Sequence, residues 1–357
     1  MSKLKVAALQ GLSASSDAIT LANDGTCTAN ITNNLINRRL TINGDMRIAQ
    51  RGTSSTSSGY HTIDRFASGS GNIGQNVTQS QQSLSSSDAP YALGFRKYKR
   101  VQLAAAGNAN ANAYVESAIY VPEAQDLASS GWDYTSSSSY VTLQFWFRCS
   151  TNQPFYTAIR MDDGTARIFS FSFTASGNNT WTKVTKNIPG NSGITINNDN
   201  GIGMSIFIIP YYGTNLTADG TALDTWNTYG SGTTHFPDMA STWLTAGAST
   251  FDLTGVQLEV SDYATSFEFL SFADELRRCE RYYQDSFEYH HINASNGESD
   301  RWIRFRTEMR ASPTVTTSPT NSVSFGVHVT TSNGFSGDGS GNSHANFNLG
   351  WTASAEL

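Results

Sequence analysis

Short stretches of the chain alternate apolar and polar residues, and this pattern predicts strands over most of its length. In "ARIFSFSFTAS", residues 166–176, Phe169, Phe171 and Phe173 recur at every second position and are separated by Ser or Thr. Successive side chains of a strand point to opposite faces of the sheet. The stretch therefore predicts a strand with one face in a core and the other toward water.

A second stretch, "MSIFIIPYY" at residues 204–212, is apolar on both alternating sets. Such a strand is expected between two packed layers or in a subunit contact. Pro210 lacks a backbone N–H and is expected to end the ladder. This longest apolar run is far below the ~20 residues that a membrane-spanning helix needs, so no membrane insertion is predicted.

From Thr41 onward, short aromatic and β-branched runs are separated by Gly, Asn, Ser and Pro, which is typical of an all-β sandwich. Residues 1–40 lack the bulk for a core, so we expect an extended segment that packs on its own copies or on a partner. The connection 213–243 is longer than the ~15 residues of ordinary loops, and we interpret it as the working surface.

One helix is predicted within residues 271–284. Ser271 can cap its start, acidic residues fall in its first turn and arginines in its last, which complements the helix dipole. Leu276, Cys279 and Tyr283 form one apolar stripe. A helix this short is marginal alone, so the stripe is expected to pack on a sandwich face or on sister helices around a threefold axis. The helix would join two β modules.

Composition narrows the classes of partner. Charged residues are 15% of the chain, against about 25% in typical soluble proteins, so the surface is expected to be neutral and polar. The net charge of −6 and the absence of Lys/Arg runs argue against nucleic acid as a partner. The short basic cluster "FRKYKR", residues 95–100, is interpreted as a solvated strand or loop edge, with contact to an anionic sugar as the alternative.

The three cysteines, Cys27, Cys149 and Cys279, are more than one hundred residues apart. Their number and spacing fit neither a disulfide framework nor a zinc site. Cys149 and Cys279 lie in apolar patterns and are expected to be small buried hydrophobic residues, in a protein that folds in a reducing cytoplasm. The apolar part of the first sixteen residues is too short for a secretory signal.

No catalytic motif is present in the sequence. His290 and His291 are adjacent and would point to opposite faces of a strand, so they form a poor metal site. "MDDG", residues 161–164, is interpreted as a hairpin turn. A glycosidase needs two facing carboxyl groups, which the sequence does not establish. We predict no enzyme activity and no cofactor, and a structural calcium site is left open.

Three segments resemble one family. They are "NLINRRLTINGDMRIAQRGTSSTSSGYHTIDRF" at residues 34–66, "FDLTGVQLEVSDYATSFEFLSFADELRRCERYY" at 251–283, and "MRASPTV" with the final "GWTASAEL". The chain resembles tail-fibre and receptor-binding proteins of tailed bacteriophages, especially those of marine hosts. Ser261 and Ser266 stand where that family more often has Gly and Pro, which is expected to soften two turns.

The resemblance implies a specific architecture. The first segment would form the first strand of a jelly roll similar to carbohydrate-binding modules. The second would form its last strand and the helix leading to a small C-terminal β domain. The family implies attachment of the N-terminal part to other virion proteins of the tail or baseplate, and assembly as a homotrimer in the host cytoplasm.

Sugar binding is the chemistry that the residues favour. Aromatic rings present flat apolar faces to a pyranose, and neighbouring polar side chains match its hydroxyl groups. A second, weaker patch is predicted at Trp132 and Tyr134. The candidate glycan-binding residues lie in and beside the long connection: Tyr211, Tyr212, Asp224, Trp226, Asn227, Tyr229, His235 and Trp243.

These expectations combine into one hypothesis. Residues 1–40 attach to the virion, 41–270 form the jelly roll, 271–284 form the connecting helix and 285–357 form the C-terminal β domain. The function predicted is adhesion of a phage tail fibre to host-surface polysaccharide without catalysis. The alternatives are a structural decoration or connector protein of the capsid or tail, and a polysaccharide depolymerase.

Overall fold

The computed structural model describes residues 6–10, 12, 18–25, 27–29, 38–230, 236–291, 299–320, 324–340 and 346–357. Within the described part of residues 1–40, three short strands pair antiparallel in the order β1-β2-β3. They are β1 (Ala8–Leu9), β2 (Ile19–Leu21) and β3 (Cys27–Ala29). Half of the predicted attachment segment lies outside the described residues, and its role stays a prediction.

The middle of the chain is a two-layer antiparallel β-sandwich, which confirms the jelly-roll prediction. One sheet has seven strands: β5, β8, β13 with its continuation β14, β10, β11 and β15. The other has six, in the order β12-β9-β16-β7-β6-β4. The bounds are β4 (Ser54–Ser55), β5 (Ala67–Gly71), β6 (Val77–Ser83), β7 (Lys97–Leu103), β8 (Tyr114–Tyr120), β9 (Tyr140–Cys149), β10 (Phe155–Met161), β11 (Arg167–Phe173), β12 (Thr182–Pro189), β13 (Met204–Ile209), β14 (Tyr211–Tyr212), β15 (Trp226–Thr228) and β16 (Thr250–Val260).

Phenylalanines fill the space between the two sheets. Phe169, Phe171 and Phe173 of β11 are buried in this core, as the alternation predicts. The ring of Phe173 packs edge-on against Phe147 of β9 at 4.8 Å between centroids. On the other face of β11, Ser172 is exposed, whereas Ser170 is buried. Part of that outer face is therefore covered.

The cover comes from the connection after β14. Phe236 of this connection is buried with Ile209 in a second apolar cluster on the outer face of the seven-stranded sheet, and Leu216 and Met239 pack against that cluster. On its inner face, β13 contributes Ile206 and Ile208 to the main core. The prediction that β13 lies between two packed layers is confirmed.

The described residues contain four helices, α1 (Ala89–Ala92), α2 (Ala124–Ala128), α3 (Thr242–Thr245) and α4 (Phe272–Glu280). The predicted helix is α4. The Ser271 hydroxyl accepts the backbone N–H of Asp274, and acidic and basic residues occupy the first and last turns as predicted. Among the helices described, none is long and apolar enough to cross a membrane.

The apolar stripe of α4 packs on the jelly roll. Cys279 is fully buried in a cluster with Ile42 and Ile48, and Leu276 packs against it. Tyr282, and not the predicted Tyr283, completes this cluster. Tyr283 begins the next strand, and its carbonyl accepts the Gln50 amide at 3.0 Å. Of the two surfaces predicted for the stripe, the sandwich is the one observed in this chain.

The chain after α4 forms a small β module, as predicted. Its strands are β17 (Tyr283–His291), β18 (Ser299–Arg304), β19 (Thr314–Pro319), β20 (Ser324–Thr331), β21 (Gly334–Ser340) and β22 (Asn346–Ser354). They form two three-stranded sheets, β17-β22-β19 and β18-β21-β20. Phe305, Phe335 and Trp351 pack between the sheets. Residues 341–345 between β21 and β22 lie outside the described residues, and so do the side chains of His290 and His291.

Polar contacts, which we call the interdomain joint, fix this module to the jelly roll. The Arg65 side chain is fully buried, and it donates a hydrogen bond to the Glu356 carboxylate. Its guanidinium carbon lies 3.4 Å from the centre of the Tyr282 ring. The Tyr60 hydroxyl donates to the Leu357 carbonyl at 3.0 Å. A buried charge held from several sides favours one orientation of the two modules.

The basic cluster at residues 95–100 is not a solvated edge, so that interpretation was wrong. It opens β7, and Phe95, Tyr98 and Lys99 are buried. Val101 and Leu103 occupy the core face of the strand. The two-residue period then places Lys99 on the same face.

Other local predictions are confirmed. "MDDG" forms the turn between β10 and β11, with Gly164 at φ +64°, a conformation that glycine adopts without strain. Cys149 and Cys279 are buried free thiols. Burial raises the pKa of both thiols, that of Cys149 to about 12, so neither is reactive near neutral pH. The side chain of Cys27 is not among the described residues.

Candidate functional site

The outer face of the seven-stranded sheet carries the chemistry of this molecule. Tyr114 and Glu116 are two residues apart on β8 and point away from the core. Phe207 of β13 and Arg160 of β10 share this face. Tyr212 of β14 lies next to them. Its side chain points to the outer side of the sheet, where it belongs to the second apolar cluster.

These side chains surround a groove, which we call the tyrosine groove, with a volume of about 470 Å³. This volume is within the range of small-ligand sites. A smaller cavity of about 140 Å³, the inner compartment, adjoins it through Glu116 and Tyr212. The groove is lined by Asn72, Asn112, Tyr114, Glu116, Tyr212 and Leu216. The inner compartment is lined by Glu116, Ala158, Arg160, Phe207, Tyr212 and Phe236.

The Tyr114 ring lies close to β5, because this strand carries two glycines beside it. A Cβ at Gly71 would lie 2.9 Å from Cζ of this ring, and one at Gly69 would overlap Oε2 of Glu116. A side chain at Gly71 would therefore push the ring away, and one at Gly69 would displace the Glu116 carboxylate. With glycine at both positions, the ring packs against the β5 backbone and lines the groove.

Polar groups stand at the rim of the groove. The Asn72 Nδ2 donates to the Asn112 carbonyl at 3.1 Å, and the Asn112 Oδ1 accepts from Asn215 at 2.8 Å. Within the described chain, the Asn72 Oδ1 and the Asn112 Nδ2 have no hydrogen-bond partner. One acceptor and one amide donor are thus available beside the Tyr114 ring.

Glu116 is the carboxyl group of the site. Its Oε1 accepts the Tyr212 hydroxyl. Burial raises the pKa of Glu116, and the Tyr212 hydrogen bond and the charge of Arg160 partly oppose this shift. Burial and the neighbouring Glu116 raise the pKa of Tyr212 well above its ordinary value, so the phenol keeps its proton and donates. Since a carboxylate accepts several hydrogen bonds, Glu116 retains capacity for a ligand.

Arg160 is the positive counterpart. Its Nε lies 2.5 Å from Oδ1 of Asp162. Its guanidinium lies over Phe207 and Tyr229, with centroid distances of 5.1 and 5.0 Å. Cation–π contacts of this kind restrict the orientation of the Arg160 guanidinium. They hold this group at the wall of the inner compartment.

The predicted glycan residues fall into separate places. Tyr212 lines the groove, and Tyr229 packs beside it on the same face. Asn227 is paired with Ile168 on that face, and its Nδ2 bonds the Ala222 carbonyl at 3.0 Å. Of the eight predicted residues, Tyr212 therefore lines the groove, and Tyr229 lies on the same face beneath Arg160.

Two other predicted residues, Trp226 and Asp224, lie at the edge of the seven-stranded sheet. Trp226 points inward against Phe169, and its Nε1 donates to the Pro189 carbonyl at 2.7 Å. Asp224 adopts φ +60° and forms an ion pair with Lys186 at 2.6 Å. Both side chains have structural partners away from the groove.

Tyr211 and Trp243 are core residues and do not reach a ligand from solvent. Tyr211 precedes Tyr212 on β14 and points to the opposite face, into the main core. Trp243 is fully buried, and its Nε1 donates to the Thr250 carbonyl at 3.0 Å. The predicted residue His235 lies outside the described residues.

The second patch was also predicted wrongly at its centre. Trp132 is 3% exposed and belongs to the main core, with Tyr134 partly buried against it. The ring of Trp132 meets that of Tyr134 edge-on at 6.2 Å. Gly131 before it adopts φ +84°, and this turn directs the tryptophan inward.

The sequence analysis missed Asn72, Asn112, Tyr114, Glu116 and Arg160. A signal was present in "AYVESAIY", residues 113–120, where Tyr and Glu alternate with Val in a strand pattern. Polar and aromatic residues on the outer set of such a strand can mark a binding face. The glycines of β5 offered a second signal, because period-two glycine in a strand marks close approach of another group.

A larger cleft of about 710 Å³ lies between α2 and α4. Its arginines are engaged by carboxylates: Arg39 bonds Glu275, and Arg281 lies 3.1 Å from Glu123. Pairing leaves little charge for an anionic ligand. The described residues also contain no cluster of His, Cys, Asp and Glu that could hold a metal ion.

Comparison with known proteins gives fold-level similarities only. No family model and no curated protein matches the chain. Among solved structures, the enzymatically active domain of tailspike protein 4 of bacteriophage CBA120 aligns with 10% identity and a TM-score of 0.34, covering 63% of this chain and 22% of that chain.

Two carbohydrate-binding modules also align. The family 11 module of the Clostridium thermocellum cellulase Lic26A-Cel5E has 13% identity and a TM-score of 0.29, covering 58% of this chain and 95% of the module. A CBM4 structure has 9% identity and a TM-score of 0.29, covering 61% and 98%. The assignment of the jelly roll rests on the strand order and on the core between the two sheets.

Proposed function

We propose that this chain is a glycan-binding protein and that a saccharide occupies the tyrosine groove. The observation that carries the proposal is the Tyr114 ring packed against the two glycines of β5 and lining the groove. Such a ring is rigid before the ligand arrives, so little conformational entropy is lost on binding.

The polar lining supports the same ligand class. Asn72, Asn112 and Glu116 offer one amide donor and two kinds of acceptor around the ring, and they match the hydroxyl groups of a sugar. The cavity of about 470 Å³ accommodates a short saccharide and opens to solvent at one side. A saccharide chain can therefore bind with one or two residues in the groove.

The groove supports binding without hydrolysis. Glycoside hydrolases of the common types use two carboxyl groups on either side of the scissile bond. Among the residues lining the groove and the inner compartment, Glu116 is the carboxyl group. The proposed activity is therefore adhesion and not depolymerisation.

The setting we propose is a bacteriophage tail fibre that adheres to host-surface polysaccharide. The sequence resemblance of residues 34–66 and 251–283 to tail-fibre proteins supports it. In this setting residues 1–40 attach to other virion proteins, and the chain is a homotrimer. Several shallow grooves on one particle would bind through a high effective concentration, which compensates for weak single contacts.

The test is binding of the full chain to an array of bacterial envelope polysaccharides, with Tyr114→Ala as the variant. Truncating an aromatic anchor commonly costs about 2 kcal/mol or more, so we expect affinity to fall at least about tenfold. Tyr263→Ala is the matched control, because Tyr263 is 47% exposed and lies outside the groove.

Each outcome decides between functions. Loss of binding in the Tyr114 variant alone supports the groove. Equal binding of wild type and this variant would place recognition elsewhere, and absence of binding to every polysaccharide would favour a decoration or connector role. Shortened oligosaccharides after incubation would show a depolymerase.

Gly71→Ala tests the support beneath the ring. We expect the added methyl to push the Tyr114 ring out of its plane and to lower glycan affinity several-fold, because the new Cβ would contact Cζ and the hydroxyl at 2.9 and 3.1 Å. Gly177→Ala is the control, since its nearest contact is Thr180 Oγ1 at 3.3 Å in a loop far from the groove. Affinity equal to that of the control would mean that the ring position does not matter.

A further inference from the structure

The inner compartment has an apolar side formed by three residues. Ala158 of β10 is fully buried and Phe236 is 1% exposed, and Phe207 of β13 is the cross-strand neighbour of Ala158. Among the described residues, no charged or hydroxyl group lines this side. A ligand atom that enters it loses water contacts, so the compartment favours a methyl group over a polar one.

The opposite side of the compartment carries hydrogen-bonding groups of both kinds. Arg160 uses its Nε for Asp162, and no acceptor in the described part of the chain bonds its Nη1 or Nη2. Glu116 accepts one hydrogen bond, from Tyr212, and has further acceptor capacity. The compartment therefore presents donors and an acceptor next to an apolar wall.

An acetamido group matches this arrangement atom by atom. Its methyl group would pack against Ala158 and the two phenylalanines, its carbonyl oxygen would accept from the Arg160 guanidinium, and its N–H would donate to Glu116. The cavity of about 140 Å³ is several times the ~30 Å³ that one water molecule takes in the liquid, which is room for four heavy atoms.

We propose that the inner compartment binds the acetamido substituent of an N-acetylated amino sugar, so that the tyrosine groove selects glycans that contain such sugars. This inference rests on the proposed function of the groove. A hydroxyl group at the same ring position would leave the apolar wall unfilled. A carboxylate, as in a uronic acid, would pair with Arg160 but would place a charge against the apolar wall and the Glu116 carboxylate, which is disfavoured.

The experiment compares two disaccharides with one skeleton, chitobiose and cellobiose, which differ in acetamido against hydroxyl at the second carbon of each ring. Dissociation constants are measured by calorimetry on the full chain. We expect chitobiose to bind at least about tenfold more tightly, in line with the discrimination that one small group in a fitted pocket provides. In saturation-transfer NMR, the acetamido methyl protons are expected to receive the strongest signal.

Ala158→Leu is expected to fill the compartment and to remove the preference for chitobiose over cellobiose. Arg160→Gln is the second variant, and it should reduce the preference without adding bulk. Equal affinities of the two disaccharides for the wild-type chain would overturn the inference without needing either variant to fold.

The array described above separates this inference from the proposed function. Glycan binding that depends on Tyr114, with no acetamido-bearing glycan among the strongest, would overturn the acetamido inference and leave the proposed function intact. No glycan binding at all would overturn both. The acetamido inference would be supported if acetamido-bearing glycans bind most tightly to the wild-type chain and lose this advantage with Ala158→Leu.

Discussion

Lys99→Met is expected to stabilise the protein by about 1–3 kcal/mol at neutral pH. Lys99 is completely buried on the core face of β7. Its Nζ donates to the Phe66 carbonyl at 3.0 Å and to the Gln79 Oε1 at 3.2 Å, and no carboxylate shares these contacts. Burial without an opposite charge lowers the pKa of Lys99 to about 7. Methionine has a similar shape and no charge.

The effect depends on pH with a definite sign. In the unfolded chain Lys99 takes up its proton near pH 10.5, whereas the folded chain resists protonation until about pH 7. The wild type therefore loses stability as pH falls between these values, by about 4 kcal/mol at 1.36 kcal/mol for each pKa unit. The Phe66 carbonyl left without its donor costs about 1–3 kcal/mol in the variant, so the net gain at pH 7 is smaller than the full effect.

Urea unfolding at about pH 7 and about pH 10 measures this. The advantage of Lys99→Met over the wild type should shrink as pH rises. Lys97→Met on the same strand is the control, because Lys97 is partly exposed and bonds the Ser83 hydroxyl. A wild-type stability that does not change with pH relative to Lys99→Met would contradict the buried, unpaired state of this lysine.

Glu356→Gln is expected to weaken the interdomain joint by about 3–5 kcal/mol. The Glu356 carboxylate neutralises Arg65, which is fully buried, and also lies 3.2 Å from the Arg51 guanidinium. Removing one partner of a buried ion pair leaves the other charge uncompensated in a medium that solvates it poorly. The amide keeps the shape of the side chain, so the loss reports charge.

Hydrogen–deuterium exchange of residues 346–357 and thermal unfolding measure the change. The C-terminal strand should exchange faster, and the midpoint of unfolding should fall. Glu308→Gln is the matched control in the same module, since Glu308 is exposed and bonds the Ser332 hydroxyl. The same midpoint in both variants would mean that the joint is not held by this pair.

The interdomain joint also affects the position of the tyrosine groove. Strand β5 begins at Ala67, directly after Arg65 and Phe66, and it carries the glycines that lie beneath Tyr114. A fixed Arg65 therefore holds one edge of the groove in place. In the adhesion role proposed above, this rigidity would keep the binding face at a constant orientation to the rest of the particle.

Much of the fold could be predicted from local sequence. The alternation at Phe169, Phe171 and Phe173 fixed one face of β11, and the doubly apolar pattern of β13 predicted two covering layers. Ser271 predicted the start of α4. These features depend on a residue and its near neighbours along the chain, so periodicity and capping are sufficient to find them.

The candidate site was predicted only in part. Of the aromatic residues predicted in and beside the long connection, Tyr212 lines the groove and Tyr229 packs on the same face, whereas Tyr211, Trp226 and Trp243 face the main core. Neighbouring positions on a strand face opposite sides, so the phase of β14 decides that Tyr212 and not Tyr211 reaches the groove. The sequence does not show which residue of β14 faces outward, because Pro210 interrupts the strand between β13 and β14.

By itself, the sequence determined the β-rich architecture, the single capped helix between two modules and the scarcity of charge, since each follows from composition or from a period of a few residues. Only the tertiary structure decided which outer face became a groove. Tyr114 packs against β5 because Gly69 and Gly71, which are far from it in the sequence, lie on the neighbouring strand. Lys99 is buried because it lies on the same face of β7 as Val101, and that face is turned to the core. Both outcomes depend on pairing between remote segments, which no local pattern encodes.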